Sequence, residues 1–327
     1  MKKPVVITGG CGYVGSRVAQ ALARLDIPVV ILDRVMPKER GLILPELVAY
    51  KQVDLKDPKK TGEAIRGSDI VLHLAAHIAS LSYMHEHQAE IIADNAAIDA
   101  SLYPAMLEEG VKAVMYSSSS MVFQNARKYP YTEEDLKDAP PPTNVYGFSK
   151  LAGEYFCRAF YAQYDLPYVI IRYHNIYGPG EDSKGSTPGD IHVIPALIEK
   201  VLSGQYPLKL LGGEDATRPF TYVDDAVRAT VMLVKRVLAG DERVMNTDFN
   251  IGPGKATQIL DLAKKIWELF GDGRPFRYEV EKTNASTSVR REMNPGKIRS
   301  IVGWQEKISL EDGILKTAEW IKSRKQK

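Results

Sequence analysis

The fold is decided by one stretch near the N-terminus, Val5-Val6-Ile7-Thr8-Gly9-Gly10-Cys11-Gly12-Tyr13-Val14-Gly15. Its first four residues are β-branched and apolar in character and predict a strand, and the glycines after them predict a tight turn. Apolar residues then recur at i, i+3, i+4 and i+7, which predicts a helix. These residues are Val18, Ala21, Leu22 and Leu25. Glycines in such a turn let the backbone approach a pyrophosphate, and the helix N-terminus offers N–H groups to it. The predicted dinucleotide contacts in this turn are Gly9, Gly12, Tyr13, Val14 and Gly15.

A carboxylate follows the second predicted strand. The run Val29–Leu32 ends at Asp33, 18 residues after Gly15, where an acid can accept hydrogen bonds from both ribose hydroxyls of a dinucleotide. Asp33 would repel a 2′-phosphate, so NAD is predicted in preference to NADP. Arg34 next to it is a further candidate contact with the cofactor.

Short apolar runs alternate with helical patterns along most of the chain. The other predicted strands are Ile70–Leu74, Ala113–Tyr116, Val169–Ile171 and Phe249–Ile251. The other predicted helices are Gln88–Glu108, Gly147–Tyr164, Val193–Leu202, Val223–Leu238 and Ile259–Phe270. This alternation predicts an α/β fold with a doubly wound parallel (Rossmann) sheet and a smaller, mixed C-terminal substrate-binding region. We expect residues 1–176 to form the NAD-binding domain, with 219–252 returning to it, and residues 177–218 and 253–327 to bind substrate.

Composition narrows the possible functions. The chain has 327 residues, of which 44% are hydrophobic, and a formal net charge of +2. A net charge this close to zero gives no reason to expect the basic surface that a nucleic-acid-binding protein needs. No apolar run approaches the roughly 20 residues of a membrane-spanning helix. Two cysteines are too few for a disulfide framework or a metal cluster. We expect a cytoplasmic protein with no leader peptide, no metal, and neither nucleic acid nor membrane as a partner.

A tyrosine and a lysine stand four residues apart at the start of a predicted helix. Tyr146 and Lys150 would share one face, and an ammonium beside a phenol is expected to lower the phenol's pKa toward neutrality. The serine run Ser117–Ser120 follows the strand Ala113–Tyr116, at the sheet edge where ligands bind in such folds. A serine hydroxyl there can hold a substrate oxygen while Tyr146 transfers its proton. Helix or loop capping is the alternative role for these serines.

Taken together, these motifs resemble the extended short-chain dehydrogenase/reductase family, specifically its NAD-dependent nucleotide-sugar epimerase branch (UDP-glucose/galactose 4-epimerase-like). The segments that carry the resemblance are the glycine turn, Asp54-Leu55, His73-Leu74-Ala75-Ala76, Asn95, Ser117–Ser120, Tyr146-Gly147-Phe148-Ser149-Lys150, Arg172-Tyr173-His174-Asn175, Gly178-Pro179 and Arg218–Asp225. They occur in the family's order and extend to Gly303-Trp304, so the resemblance covers almost the whole chain.

The resemblance implies roles for individual residues. The implied catalytic residues are Ser119 as hydroxyl donor, Tyr146 as acid/base and Lys150 as partner of the tyrosine and of the nicotinamide ribose. The implied cofactor contacts are Asp54 and Leu55 at the adenine, Leu74, Ala75 and Ala76 along the phosphates and ribose, His174 beside the nicotinamide, and Asn95 and Ser117. The implied substrate contacts are Ser119, Ser120, Asn175, His192, Val193, Leu210, Arg218 and one of Arg290 and Arg291, of which spacing favours Arg291.

The residue before Val122 distinguishes branches of the family. Sugar-nucleotide dehydratases and decarboxylases place Glu there and 3,5-epimerases place Cys, whereas this chain has Met121, whose thioether cannot transfer a proton. A 4-epimerase needs one acid/base, a hydroxyl and NAD, and all are present. Two departures from galactose epimerases leave the hexose open: Thr283–Ser288 lacks their Arg-x-Gly-Asp segment, and Ser119-Ser120-Met121 replaces their Ser-Ala-Thr.

We therefore predict NAD-dependent epimerisation of a nucleoside-diphosphate sugar, at C4 through a transient 4-keto sugar. The alternatives are another sugar-nucleotide epimerase (including a GDP-mannose 3,5-epimerase-like enzyme), an NAD(P)H-dependent keto-sugar-nucleotide reductase, and a non-catalytic NAD sensor. By family analogy we also expect a homodimer. The nucleotide, the hexose or uronic acid and the ring position stay open at this point.

Overall fold

A computed structural model describes residues 3–78, 83, 86–181, 192–211, 215–281 and 290–325. The segment Thr283–Ser288, which bears on the hexose, lies outside the described residues. No helix in the described part of the chain is long and apolar enough to cross a membrane.

Seven parallel strands form the central sheet. They are β1 (Val5–Thr8), β2 (Val29–Asp33), β3 (Val48–Gln52), β4 (Ile70–His73), β5 (Ala113–Ser119), β6 (Tyr168–Tyr173) and β11 (Thr247–Ile251). Their order across the sheet is β11-β6-β5-β4-β1-β2-β3, and every neighbouring pair is parallel. The winding direction reverses between β1 and β4, which opens a crevice at the carboxyl ends of these strands. The predicted doubly wound fold is confirmed.

Helices cover both faces of this sheet. They are α1 (Gly15–Ala23), α2 (Pro58–Ile65), α3 (Gln88–Glu108), α4 (Val145–Tyr164), α5 (Val193–Leu202), α6 (Val223–Leu238), α7 (Ile259–Phe270), α8 (Gly296–Val302) and α9 (Leu310–Lys325). Alternate strand residues enter two separate cores: Val5 and Ile7 pack on the side of α1 and α6, while Val6 packs on the side of α2, α3 and α4. Both faces are therefore buried, as the continuous apolar strands predicted.

Short strands near the carboxyl edge build the smaller region. They are β7 (Ile176–Tyr177), β8 (Leu208–Leu211), β9 (Thr217–Arg218), β10 (Thr221–Tyr222), β12 (Thr257–Gln258) and β13 (Tyr278–Glu281). β10 pairs with β7, β12 with β9, and β13 with β8. Helices α5, α7 and α9 pack together around these pairs. Between the segments of the smaller region, the chain returns to the central sheet at β11. The domain boundaries predicted from the sequence stay a prediction.

The central sheet differs from the sequence prediction at β5 and β3, and helices α2, α8 and α9 were not predicted. The strand predicted at Ala113–Tyr116 continues to Ser119, so three of the serines belong to β5 and only Ser120 follows it. The edge strand β3 was not predicted, because it lacks an apolar run: of Val48–Gln52, only Val48 is buried. An edge strand with exposed polar residues has a weak sequence signal, since its pairing with β2 and not its burial defines it.

Candidate active site

A cavity of about 1410 Å³ lies at the carboxyl edge of the central sheet and extends beneath the smaller region. The glycine turn and the ends of β2, β4, β5 and β6 form one wall, and α5, β8 and β9 form the other. Of all the residues predicted for the cofactor and substrate sites, only Asn95 and His174 do not line it. The fold thus brings together groups from across most of the chain.

The glycine turn provides a cradle with no space for side chains. Gly9 has φ +66°, and a Cβ there would lie 2.8 Å from the backbone of Ala75. A Cβ on Gly15 would lie 2.5 Å from the carbonyl oxygen of Gly9. No side-chain hydrogen bond caps α1 at Val14, the residue before its first turn. This geometry fits the pyrophosphate of a dinucleotide.

Asp33 is oriented by the backbone at the end of β2. Its Oδ2 accepts from the Cys11 N–H at 3.0 Å and its Oδ1 accepts from the Val35 N–H at 3.0 Å. Each carboxylate oxygen keeps a further lone pair for a ribose hydroxyl. Arg34 beside it is exposed at the rim of the cavity. The residues present therefore fit NAD at this end of the cavity.

The predicted acid/base, Tyr146, meets Ser119 at the end of β5. Helix α4 begins at Asn144, whose Oδ1 accepts from the N–H groups of Tyr146 (3.0 Å) and Gly147 (3.2 Å), which sets Tyr146 in the first turn. Both side chains line the cavity. Burial raises the pKa of Tyr146 to about 12, and the hydroxyl of Ser119 partly opposes this rise.

Lys150 lies one turn further along α4. Its Nζ donates to the carbonyl oxygen of Ser117 at 2.7 Å and lies 5.0 Å from the ring centroid of Tyr116 and 6.0 Å from that of Tyr146. Burial lowers the pKa of Lys150 to about 8, and the negative charge of Asp99 opposes this shift. The expected lowering of the phenol's pKa is therefore wrong: burial raises the pKa of Tyr146, and the Lys150 ammonium is bonded to the carbonyl of Ser117.

Two arginines meet on the other wall. The backbone N–H of Arg291 donates to the carbonyl of Thr217 at 3.2 Å, which sets Arg291 next to Arg218. Both side chains are 7% exposed and line the cavity. Burial, with a contribution from Arg291, lowers the pKa of Arg218 to about 9. Two buried cations in contact with one cavity favour a ligand with more than one negative charge.

The neighbouring Arg290 points away from the cavity. It is exposed, donates to Glu292 at 2.8 Å and lies over the ring of Tyr129 at 5.0 Å. Of the adjacent pair, Arg291 is the one that faces the cavity, as residue spacing favoured.

His174 was expected beside the nicotinamide, and the structure does not place it there. It is fully buried, its Nδ1–H donates to the Arg172 carbonyl at 3.1 Å, and its Nε2 accepts from the Tyr131 hydroxyl at 3.0 Å. Burial lowers its pKa to about 3, so the ring is neutral. Both nitrogens are engaged within the protein, which leaves Asn175, the next residue, to line the cavity.

Asn95 was also expected at the cofactor, yet it bridges two segments behind the cavity. Its Oδ1 accepts from the His77 N–H at 2.6 Å, and its Nδ2 donates to the His77 carbonyl at 3.2 Å and to Ser149 Oγ at 3.0 Å. It therefore joins the loop after β4 to helix α4. His192, by contrast, has a side chain 66% exposed at the cavity rim, where its Nδ1 pairs with Glu181.

Some charged cavity residues were not predicted from the sequence. Lys209 on β8 pairs with Glu281 on β13 at 3.1 Å, and both line the cavity near Leu210. The sequence carries no signal for this pair, because only the β8–β13 pairing brings the two residues together. Met121 also lines the cavity next to Ser120, where its apolar side chain adds no proton-transferring group.

Comparisons with known proteins agree with this geometry. A family model described as the NAD dependent epimerase/dehydratase family matches residues 5–252. The chain is 28% identical over 325 residues to a putative UDP-glucose 4-epimerase of Methanocaldococcus jannaschii, covering 98% of each. It is 30% identical over 333 residues to a UDP-N-acetyl-alpha-D-glucosaminuronate decarboxylase of Bacillus cytotoxicus, again covering 98% of each.

The crystal structure of a UDP-glucose 4-epimerase from Thermotoga maritima with UDP-glucose superimposes with a TM-score of 0.83 at 26% identity, covering 98% of this chain and 99% of that one. The resemblance found in the sequence is thus confirmed, and with it the NAD dependence that the family description carries. With most of its length matched by the family model, this chain belongs to the NAD-dependent epimerase/dehydratase family.

Proposed function

We propose that the protein epimerises a nucleoside-diphosphate sugar at C4, with NAD as cofactor and UDP-glucose/UDP-galactose as the substrate type. The observation that carries this proposal is that Ser119 and Tyr146 line the same cavity as Arg218 and Arg291. One end offers a single acid/base with a hydroxyl beside it. The other offers two cations for a diphosphate.

In this mechanism Tyr146 removes the proton of the sugar's 4-hydroxyl while Ser119 holds that oxygen. NAD, which the glycine turn and Asp33 would hold, would supply the hydride acceptor and donor for C4. The product of the first half-reaction is a 4-keto nucleotide sugar. Its sugar ring rotates in the cavity and is reduced at C4 on its other face. Tyr146 then gives the proton back to the oxygen, so the reaction has no net redox change.

The two arginines anchor the diphosphate through both half-reactions. Arg218 and Arg291 lie on the wall formed by the smaller region, away from the phenol of Tyr146 on the sheet wall. Binding energy is thereby taken from a part of the substrate that does not react. The sugar ring is left free to rotate about its link to the diphosphate.

Met121 argues against the reaction of the decarboxylase relative. Loss of a carboxylate or of water requires a further acid or base beside the sugar, and the thioether of Met121 cannot supply one. Its place next to Ser120 in the cavity wall supports a reaction with one acid/base group only.

We also propose a homodimer through the outer face of α4. Several aromatic side chains on this helix are exposed: Phe148, Tyr155, Tyr161 and Tyr164. Apolar area of this kind is typical of an interface. Light scattering of the purified protein tests the assembly, and a monomer at micromolar concentration would contradict it.

The test of the proposed reaction is proton NMR of the purified protein with UDP-galactose or UDP-glucose and no added cofactor. We expect the two anomeric signals to interconvert, because NAD stays bound through turnover. If neither sugar reacts but NAD is recovered from the denatured protein, uronic acid, N-acetyl and GDP-linked sugars are tested next. Absence of both turnover and bound NAD would contradict the proposal and favour a reductase that exchanges its cofactor.

A further inference from the structure

Three side chains spaced four residues apart along helix α4 lie against the last three residues of strand β5. Tyr146 lies beside Ser119 in the cavity wall, Lys150 donates to the carbonyl of Ser117 at 2.7 Å, and Glu154 accepts from the hydroxyl of Ser118 at 2.6 Å. One face of the helix is thus matched to consecutive residues of the strand. Glu154 does not line the cavity, and the third contact has no part in the proposed chemistry.

Glu154 is itself held rigidly. Arg172 on β6 donates to both of its carboxylate oxygens, from Nε to Oε1 at 2.7 Å and from Nη2 to Oε2 at 2.7 Å. Both side chains are fully buried, and Arg172 Nη2 also bonds to Asp248 on β11 at 2.5 Å. The Glu154 carboxylate, which accepts the hydrogen bond from Ser118, is therefore held by Arg172 on β6, and Arg172 is in turn held by Asp248 on the neighbouring strand β11.

Close packing sets how near α4 lies to β5. A Cβ on Gly153 would lie 1.9 Å from the hydroxyl of Tyr116, so the helix already lies as near to β5 as Tyr116 allows. Hydrogen bonds are directional and therefore also restrict the position of the helix along the strand. Of the three helix–strand contacts, only the one between Ser118 and Glu154 involves neither a proposed catalytic side chain nor its backbone partner.

We propose that Ser118 and Glu154 are positioning residues. Their hydrogen bond sets the position of α4 along β5, and thereby the distance between the side chains of Tyr146 and Ser119. The catalytic meaning of this approach rests on the proposed function. Removing the Ser118 hydroxyl lets the first turns of α4 shift against the end of β5. A shift of about 1 Å at a proton-transfer site is enough to slow turnover by up to about 100-fold.

The test uses Ser118→Ala in the full-length protein, with Ser68→Ala as the matched control. Ser68 is also buried and donates one hydrogen bond, to the Ile65 carbonyl at 2.8 Å. It precedes β4, however, and so lies at the amino-terminal ends of the strands, opposite the carboxyl ends that form the cavity. We expect Ser118→Ala to lower kcat by about 10- to 100-fold with KM changed by less than about twofold, because the diphosphate anchors are untouched. Ser68→Ala is expected to keep both constants.

A crystal structure of Ser118→Ala provides a readout that needs no substrate. We expect the distance between the hydroxyls of Tyr146 and Ser119 to be longer than in a crystal structure of the wild type. An unchanged distance, or equal values of kcat in Ser118→Ala and Ser68→Ala, would overturn the proposal. If the wild-type protein turns over no nucleotide sugar, the proposed function fails, and this structure alone decides whether Ser118 positions α4.

Discussion

Arg218 and Arg291 lie side by side on one wall of the cavity, although 73 residues separate them in the chain. The link is a backbone hydrogen bond from Arg291 to Thr217, the residue before Arg218. The charge of Arg291 contributes to the lowered pKa of Arg218, and two such cations at one cavity favour a ligand with more than one negative charge. Their proximity is the basis of the first prediction.

Arg291→Leu is expected to weaken UDP binding by about 10- to 100-fold, since a hydrogen bond to a charged group contributes ~1.5–3 kcal/mol. The measurement is calorimetric titration with UDP. Arg290→Leu is the control, because Arg290 is exposed and pairs with Glu292. Equal losses of affinity in the two variants would contradict the assignment of Arg291.

Tyr146→Phe is expected to keep the fold and bound NAD and to lower kcat by about 100- to 10,000-fold, the usual contribution of a positioned acid/base. Turnover by NMR and the NAD content of denatured protein are the measurements. Tyr155→Phe on the same helix, whose side chain is largely exposed, is the control and should keep its activity. Near-wild-type rates in Tyr146→Phe would refute its role as acid/base.

Asp33→Ser is expected to change cofactor preference. Loss of the carboxylate removes hydrogen bonds to the ribose hydroxyls and the repulsion of a 2′-phosphate, so the affinity for NAD falls and that for NADP rises. Asp54→Ser is a comparison variant, since an acid at the adenine should affect both cofactors alike. Dissociation constants measured on protein stripped of cofactor test this difference, and an unchanged NAD/NADP ratio in Asp33→Ser would contradict it.

The buried ring of His174 predicts a pH dependence of stability. The unfolded chain binds a proton at about pH 6.5, whereas the folded state, with the pKa of His174 at about 3, does not. Between these values the unfolded state holds more protons, so the free energy of unfolding falls by about 1.4 kcal/mol for each unit by which pH decreases. Urea denaturation between pH 4.5 and 7 should show a shallower slope for His174→Gln than for wild type. Parallel slopes would contradict the buried neutral ring.

Glu154→Gln is expected to destabilise the fold by about 1.5–3 kcal/mol, because the fully buried Arg172 loses one of its two carboxylate partners and keeps the other, Asp248. Glu109→Gln is the matched control: its partner Arg66 is 66% exposed, and such surface pairs contribute about 0–1 kcal/mol. Free energies of unfolding in urea measure both. Similar losses in the two variants would show that the Glu154–Arg172 pair contributes no more than a surface pair.

Local signals in the sequence were sufficient to predict the fold class and many of the site residues. The turn from Gly9 to Gly15 and the acid at Asp33 act over short stretches of chain, and so does the i, i+4 spacing of Tyr146 and Lys150. Backbone sterics, strand alternation and helix periodicity operate within a few residues. A single sequence therefore carried the fold class and a set of site residues of which all but Asn95 and His174 line the cavity.

Other features depend on contacts that no local pattern encodes. Strand β3 exists because it pairs with β2, and the Lys209–Glu281 pair exists because β8 meets β13. His174 follows β6 where a cofactor contact was expected, yet its ring bonds to Tyr131, 43 residues away.

The sequence by itself determined the doubly wound sheet, the cofactor turn and the residue types available at the edge of the sheet, because these follow from local geometry. Tertiary structure alone decided which side chains face the cavity and how strongly burial changes their pKa. Arg291 faces the cavity while Arg290 does not, and burial raises the pKa of Tyr146 despite Lys150 one turn away. Desolvation and orientation depend on everything packed around a group, and that packing is settled only when distant segments meet.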